Sequence, residues 1–130
     1  MSTEDFLILK RKSLALSLDM AHGVNPMHED KYDPNHQPLL GKGIVLKTNA
    51  QMRYASSAET QALAKHIADK AHVKVQSFAM RSDMPCGSTV GPAITAMTGI
   101  ATVDLGCPQF SMHSSREVLA VQDYLDLVAF

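Results

Sequence analysis

Residues 14–27, LALSLDMAHGVNPM, are the stretch from which the rest of the chain is read. The apolar run Leu14–Leu18 has the length and composition of a buried strand, and it ends on a carboxylate, Asp19. His22 follows three residues later, and Pro26 stops any continuation of regular structure. A charge at the end of a buried strand must be solvated, paired or bound to a metal, because burying it bare costs several kcal/mol. In open α/β sheets, ligands sit just outside the carboxyl ends of the strands. Asp19 and His22 are therefore candidate site residues. The competing reading has Asp19 capping a turn and His22 as a solvated loop residue.

Working outward, the pattern repeats. The acids Glu4 and Asp5 after the hydroxyl of Thr3 predict a short helix over about 4–12. Residues 22–41 carry three prolines (Pro26, Pro34, Pro38) and three histidines (His22, His28, His36), which predicts a long irregular loop. GIVLKT (43–48) reads as a strand with Lys47 near its exit. Ser56 or Ser57 caps a helix to about Ala71, whose apolar stripe includes Leu63, Ala64, Ile67 and Ala68. Val73–Met80 reads as another strand, and Val90–Met97 as a helix stopped by Gly99. Ile100–Leu105 is the next strand, and Gln109–Met112 an extended piece leading to His113. Ser114 or Ser115 is expected to cap a last helix from about Arg116. Alternating strands and helices imply a layered α/β fold around a mostly parallel sheet.

Composition narrows the function classes. The chain of 130 residues suits one domain, and its net charge of −1 gives no broad attraction to nucleic acid or membrane surfaces. No apolar run reaches the roughly 18–20 residues of a membrane span. The two cysteines, Cys86 and Cys107, are too far apart for a CxxC motif, and both are expected as thiols in a reducing, cytoplasmic compartment. The Gly87-Ser88-Thr89 segment opening a helix could hold an anion, but it lacks the phosphate-loop pattern. Asp19 and His113, each expected where an extended segment ends, are a carboxylate–imidazole pair of the kind that ligates zinc, cobalt or manganese.

Four segments sharpen this reading: SLDMAHG (17–23), KTNAQMRYASSA (47–58), SDMPCGSTVGP (82–92) and CPQFSMHSSRE (107–117). In order and approximate spacing they resemble the aspartyl aminopeptidase family of two-metal metallopeptidases. The resemblance implies a phosphorylase/hydrolase-like α/β catalytic domain and a peptide substrate with an acidic N-terminal residue. It also implies two divalent ions, zinc with cobalt or manganese as alternatives, and a homo-oligomer. By the family motifs, Asp19 is a ligand of one metal and His113 of the other. His22 contacts substrate, Lys47 suits an acidic first side chain, and Tyr54 suits a developing oxyanion. Gly87 and Ser88 line the substrate pocket. Asn25-Pro26 stands where the family commonly has His-Pro. The family's His-x-Asp motif, its bridging Asp segment and its Glu-Glu pair find no counterpart, nor does its inserted dimerisation domain. The chain is thus expected to correspond to the C-terminal third of such an enzyme. Alone it is expected to be inactive and self-associating. The alternative is a non-catalytic α/β interaction module.

Overall fold

The computed structural model describes residues 1–130. In chain order the elements are α1 (Thr3–Arg11), β1 (Leu14–Leu18), β2 (Ala21–His22), β3 (Ile44–Thr48), α2 (Ala58–Lys70) and β4 (Val75–Ala79). They continue with α3 (Gly91–Thr98), β5 (Ala101–Gly106), β6 (Pro108–Phe110), β7 (Val118–Leu119) and α4 (Val121–Ala129). One sheet has the order β1-β5-β3-β4, in which β1/β5 and β3/β4 are parallel and β3/β5 antiparallel. The fold is mixed α/β with a mostly parallel sheet. A smaller sheet has the order β2-β6-β7. No helix is long and apolar enough to cross a membrane.

The two sheets are one ladder interrupted once. Leu18 lies opposite Leu105, and Ala21 lies opposite Pro108, so the parallel register survives the interruption. The Asp19 and Ala21 N–H groups donate to the Leu105 and Cys107 carbonyls at 3.1 and 2.9 Å. The strands approach so closely at the break that a Cβ on Gly106 would stand 1.8 Å from the Asp19 carbonyl oxygen. Glycine is the residue that permits this approach.

Alternation along the strands sends side chains to two faces. Ile44, Leu46, Val103 and Leu105 meet Ala64 and Ala68 of α2 in the main core, joined by Leu127 and Phe130. Helix α2 begins where Ser57 and Thr60 exchange reciprocal bonds, Thr60 N–H to Ser57 Oγ and Ser57 N–H to Thr60 Oγ1. On the opposite face Ala21, Val45, Tyr54 and Phe78 pack together.

Four expectations need correction. The strand Leu14–Leu18 forms but is not buried: it is an edge strand of the sheet, Ser17 alone is buried, and Leu16 and Leu18 are exposed. The helix expected from about Arg116 begins at Val121, because Val118 and Leu119 pair with Phe110 and Gln109 as an antiparallel strand instead. The extended piece before His113 ends at Phe110. Ser111 and His113 then take left-handed conformations, with φ of 57° and 68°. The cap of α1 is Ser2, whose Oγ accepts from Asp5 N–H, and not Thr3. Residues 22–41 are irregular apart from the end of β2 and a 3-10 turn at Glu29–Lys31, but they are well tied. The Val24 N–H donates to Pro38 O at 2.8 Å, and Gln76 bonds both the N–H and the carbonyl of Leu39.

The cysteines are unpaired, with Cys107 buried and Cys86 half-buried. Burial, with Asp123 and Asp126 nearby, pushes the Cys107 thiol up to about 11 from its ordinary 9.0. At pH 8 only about one Cys107 in a thousand is then thiolate, the reactive form. A disulfide-exchange reagent is expected to titrate one thiol quickly in the folded chain and the second only after denaturant is added. Two equally fast thiols would overturn this environment. Between pH 9 and 11 the folded chain keeps a proton that the unfolded chain releases, so this group makes stability fall as pH rises through that window.

Candidate active site at the strand break

The break between β1 and β2 frees backbone carbonyls that a continuous ladder would have bonded. Those of Asp19 and Met20 accept from the Lys47 ammonium at 3.0 and 3.2 Å. Lys47 is almost fully buried, at 1% exposure, and the satisfied carbonyls are what make its burial tolerable. Its ammonium also stands 3.5 Å from Asp19 Oδ2 and 5.3 Å from the centre of the Tyr54 ring. Two of its three N–H bonds are thus committed to carbonyls, and the third faces the carboxylate side of the site. Burial lowers the Lys47 pKa, while Asp19 and Asp104 hold it up.

Asp19, His22, Lys47, Tyr54, Gly87, Ser88 and His113 all line one cavity of about 120 Å³. The seven residues singled out from the sequence therefore meet at one place, although 94 positions separate the first from the last. Their neighbours Met20, Ala21, Met80, Thr89 and Met112 complete the wall.

His22 and Tyr54 are perturbed in opposite directions. Burial lowers the His22 pKa, and His113 and Lys47 push the same way against Asp19. Its imidazole is therefore neutral at pH 7, able to donate from one nitrogen and accept at the other. Burial raises the Tyr54 phenol, and its hydrogen bond with Cys86 adds to this. The Cys86 thiol donates to the Tyr54 oxygen at 3.5 Å, leaving the phenolic proton free to point into the cavity. The Ser88 hydroxyl donates to the Arg53 carbonyl at 3.1 Å and the Thr89 N–H to the same oxygen at 3.3 Å. The loop before α3 is thereby tied beside Tyr54. The His113 N–H donates to Glu117 Oε1 at 2.6 Å, which steadies the left-handed turn.

One buried carboxylate escaped the sequence reading. Asp104 is fully buried beneath the site, and its Oδ2 accepts from the Ala55 N–H at 2.5 Å. Gly91 packs directly against it: a Cβ there would stand 2.4 Å from Oδ2. Asp104 thus joins the segment after Tyr54 to the start of α3. An aspartate inside the apolar run Ala101–Leu105 was the available signal, since such a group needs a buried partner.

The metal expectation can be tested against this geometry. Catalytic zinc normally takes three protein ligands, and no three His, Cys, Asp or Glu side chains stand close enough together to hold one ion. Asp19 and His113 share a cavity but do not make a coordination shell by themselves.

The fold and cavity define an α/β domain with a candidate site at a strand end. The family model described as "Aminopeptidase I zinc metalloprotease (M18)" matches residues 1–130, and the chain belongs to that family. It is 47% identical over 127 residues to "Probable M18 family aminopeptidase 2" of Pseudomonas syringae pv. syringae, covering 98% of this chain and 30% of that protein. It is 51% identical over 113 residues to "Probable aspartyl aminopeptidase" of Ricinus communis, covering 87% of this chain and 23% of that protein. Among solved structures, the Ape4 and Nbr1 complex matches with a TM-score of 0.96 at 43% identity, over 98% of this chain and 24% of the other. The S. cerevisiae mApe1 dodecamer matches with a TM-score of 0.85 at 32% identity, over 96% and 27%. The chain thus spans less than a third of the length of these relatives.

Proposed function

We propose that these residues form the substrate-gripping wall of a metalloaminopeptidase site that removes acidic N-terminal residues from peptides. The observation that carries this reading is the single cavity lined by Asp19, His22, Lys47, Tyr54, Gly87, Ser88 and His113. The Lys47 ammonium, held by the Asp19 and Met20 carbonyls and beside the Asp19 carboxylate, attracts the carboxylate of the first side chain as a fixed point charge. The neutral His22 bonds the peptide. The Tyr54 phenol, kept protonated, donates to the oxygen that gains charge as the peptide bond is attacked. Gly87 and Ser88 form the wall along which the backbone lies. Asp19 and His113 each supply one ligand to one of two divalent ions, zinc by family, with cobalt or manganese able to substitute. The remaining ligands and the general base come from outside these 130 residues. Association into a homo-oligomer is part of the same reading, supported by the dodecameric relative.

The test uses a chimera in which these residues replace the matched segment of the Pseudomonas syringae relative. It is expected to turn over peptides beginning with Asp or Glu when loaded with zinc, and the 130-residue chain alone is expected not to. In the chimera, Lys47→Ala is expected to lower kcat/KM for Asp or Glu peptides by about 10- to 100-fold more than for an Ala peptide. This is the loss of a charge-assisted contact worth roughly 1.5–3 kcal/mol. Equal losses on both substrates would reject Lys47 as the selector. A folded, zinc-loaded chimera with no turnover would reject the aminopeptidase reading.

A further inference from the structure

A second pocket, of about 200 Å³, adjoins the site cavity. Its walls include His22, His28, Lys31, Tyr32, Met80 and Met84. His22 and Met80 also line the site cavity, so the two spaces share walls. The second pocket is bounded by the proline-rich stretch after β2, which several ties hold in place. The Tyr32 hydroxyl donates to the Gly23 carbonyl at 2.8 Å, and Tyr32 forms an isolated antiparallel bridge with Met80. The Arg81 guanidinium donates to the Asp30 carbonyl from the far side. The pocket therefore exists before any ligand arrives, which removes an ordering cost from binding.

Resting on the aminopeptidase reading above, we infer that this pocket receives the side chain of the substrate's second residue and selects an apolar one. Consecutive Cα atoms of a peptide are 3.8 Å apart, and successive side chains of an extended chain point to opposite sides. Because the two spaces share His22 and Met80, a peptide lying across His22 with its first side chain beside Lys47 can set its second between Tyr32 and Met84. The pocket is smaller than the 300–1,000 Å³ of a typical small-molecule site, and suits one side chain. Methionine walls are polarisable and adapt to several apolar shapes, which fits Leu, Met or Phe. Lys31 repels a basic second residue, so rejection as well as attraction sets the preference.

The experiment measures kcat/KM of the zinc-loaded chimera on the dipeptides Asp-Leu, Asp-Phe, Asp-Gly and Asp-Lys, with Ala-Gly as a control for the first position. Asp-Leu and Asp-Phe are expected to exceed Asp-Gly by about tenfold or more, the discrimination an apolar pocket affords, and Asp-Lys is expected to be poorest. Met84→Glu is expected to erase the advantage of Asp-Leu while leaving the ratio of Asp-Gly to Ala-Gly unchanged. Similar values for all four Asp dipeptides, or a Met84→Glu effect on the first position instead, would overturn the assignment. Methyl NMR of the 130-residue chain provides a readout that needs no turnover. The Met80 and Met84 methyl signals are expected to shift with Asp-Leu and not with Asp-Gly. If the chimera hydrolyses no peptide, the aminopeptidase reading falls. The methyl shifts then decide the pocket: no difference between the two dipeptides would overturn it.

Discussion

Gly106→Ala is expected to cost about 3 kcal/mol or more of folding stability, at the upper end of overpacking changes. The added Cβ would stand 1.8 Å from the Asp19 carbonyl oxygen and 2.6 Å from its carbon. Both are backbone atoms of a paired strand, so no rotamer change relieves the clash. The strands must part at the position where Asp19 leaves β1, and the carbonyls held by Lys47 move with them. Gly87→Ala is the control, because nothing lies within 4 Å of a Cβ there, and it is expected to change stability by less than about 0.5 kcal/mol. Urea unfolding of the two variants measures the contrast. A Gly106→Ala chain as stable as the parent would mean that β1 and β5 do not approach as described.

Removing the Asp123 carboxylate is expected to be comparably damaging. Asp123 is fully buried and accepts from the Gly41 and Gly43 N–H groups at 2.7 and 2.8 Å. It thereby fastens α4 to the entry of β3. Gly43 cannot move away, since its φ is +103° and a Cβ there would stand 2.1 Å from the Lys74 carbonyl oxygen. Asp123→Ala leaves the buried Gly43 donor without an acceptor, at about 1–3 kcal/mol, and also frees the Gly41 N–H at the exposed turn. Asp123→Asn retains one acceptor oxygen and is expected to fall between the two. A second measurement follows the same anchor. The Cys107 thiol donates to the Asp123 carbonyl at 3.3 Å, so loosening α4 is expected to speed its reaction with disulfide reagents. An Asp123→Ala chain with unchanged unfolding midpoint and a silent Cys107 would refute the anchor.

Lys47 shows how far residue-level reading reaches. Its place near a strand exit was legible, and family resemblance attached it to an acidic substrate. What the linear pattern did not show is that the ammonium is buried against the carbonyls of Asp19 and Met20. That role exists only because β1 breaks 28 residues earlier in the chain. Asp104 is the converse case: a carboxylate hidden in an apolar run whose partner, Ala55, is 49 residues away. The Arg116 helix failed for a similar reason. Hydroxyl-rich Ser114 and Ser115 looked like caps, but pairing with β6 took Val118 and Leu119 into a strand.

Local physics is written within a few residues of where it acts, and those features were readable. The strand Leu14–Leu18, the Ser57 cap and the left-handed stop at Gly99, with φ of 71°, follow from apolar runs, a hydroxyl before a helix and a glycine after one. The four motif segments also carried the candidate residues and the family. The antiparallel β3/β5 pair, the interrupted ladder and the pocket walled by Tyr32 and Met84 were not readable in that way. Each depends on which buried N–H or C=O finds a partner across the fold. The penalty for leaving such a group unpaired is local, but the partner that removes it is chosen by the packing of the whole chain.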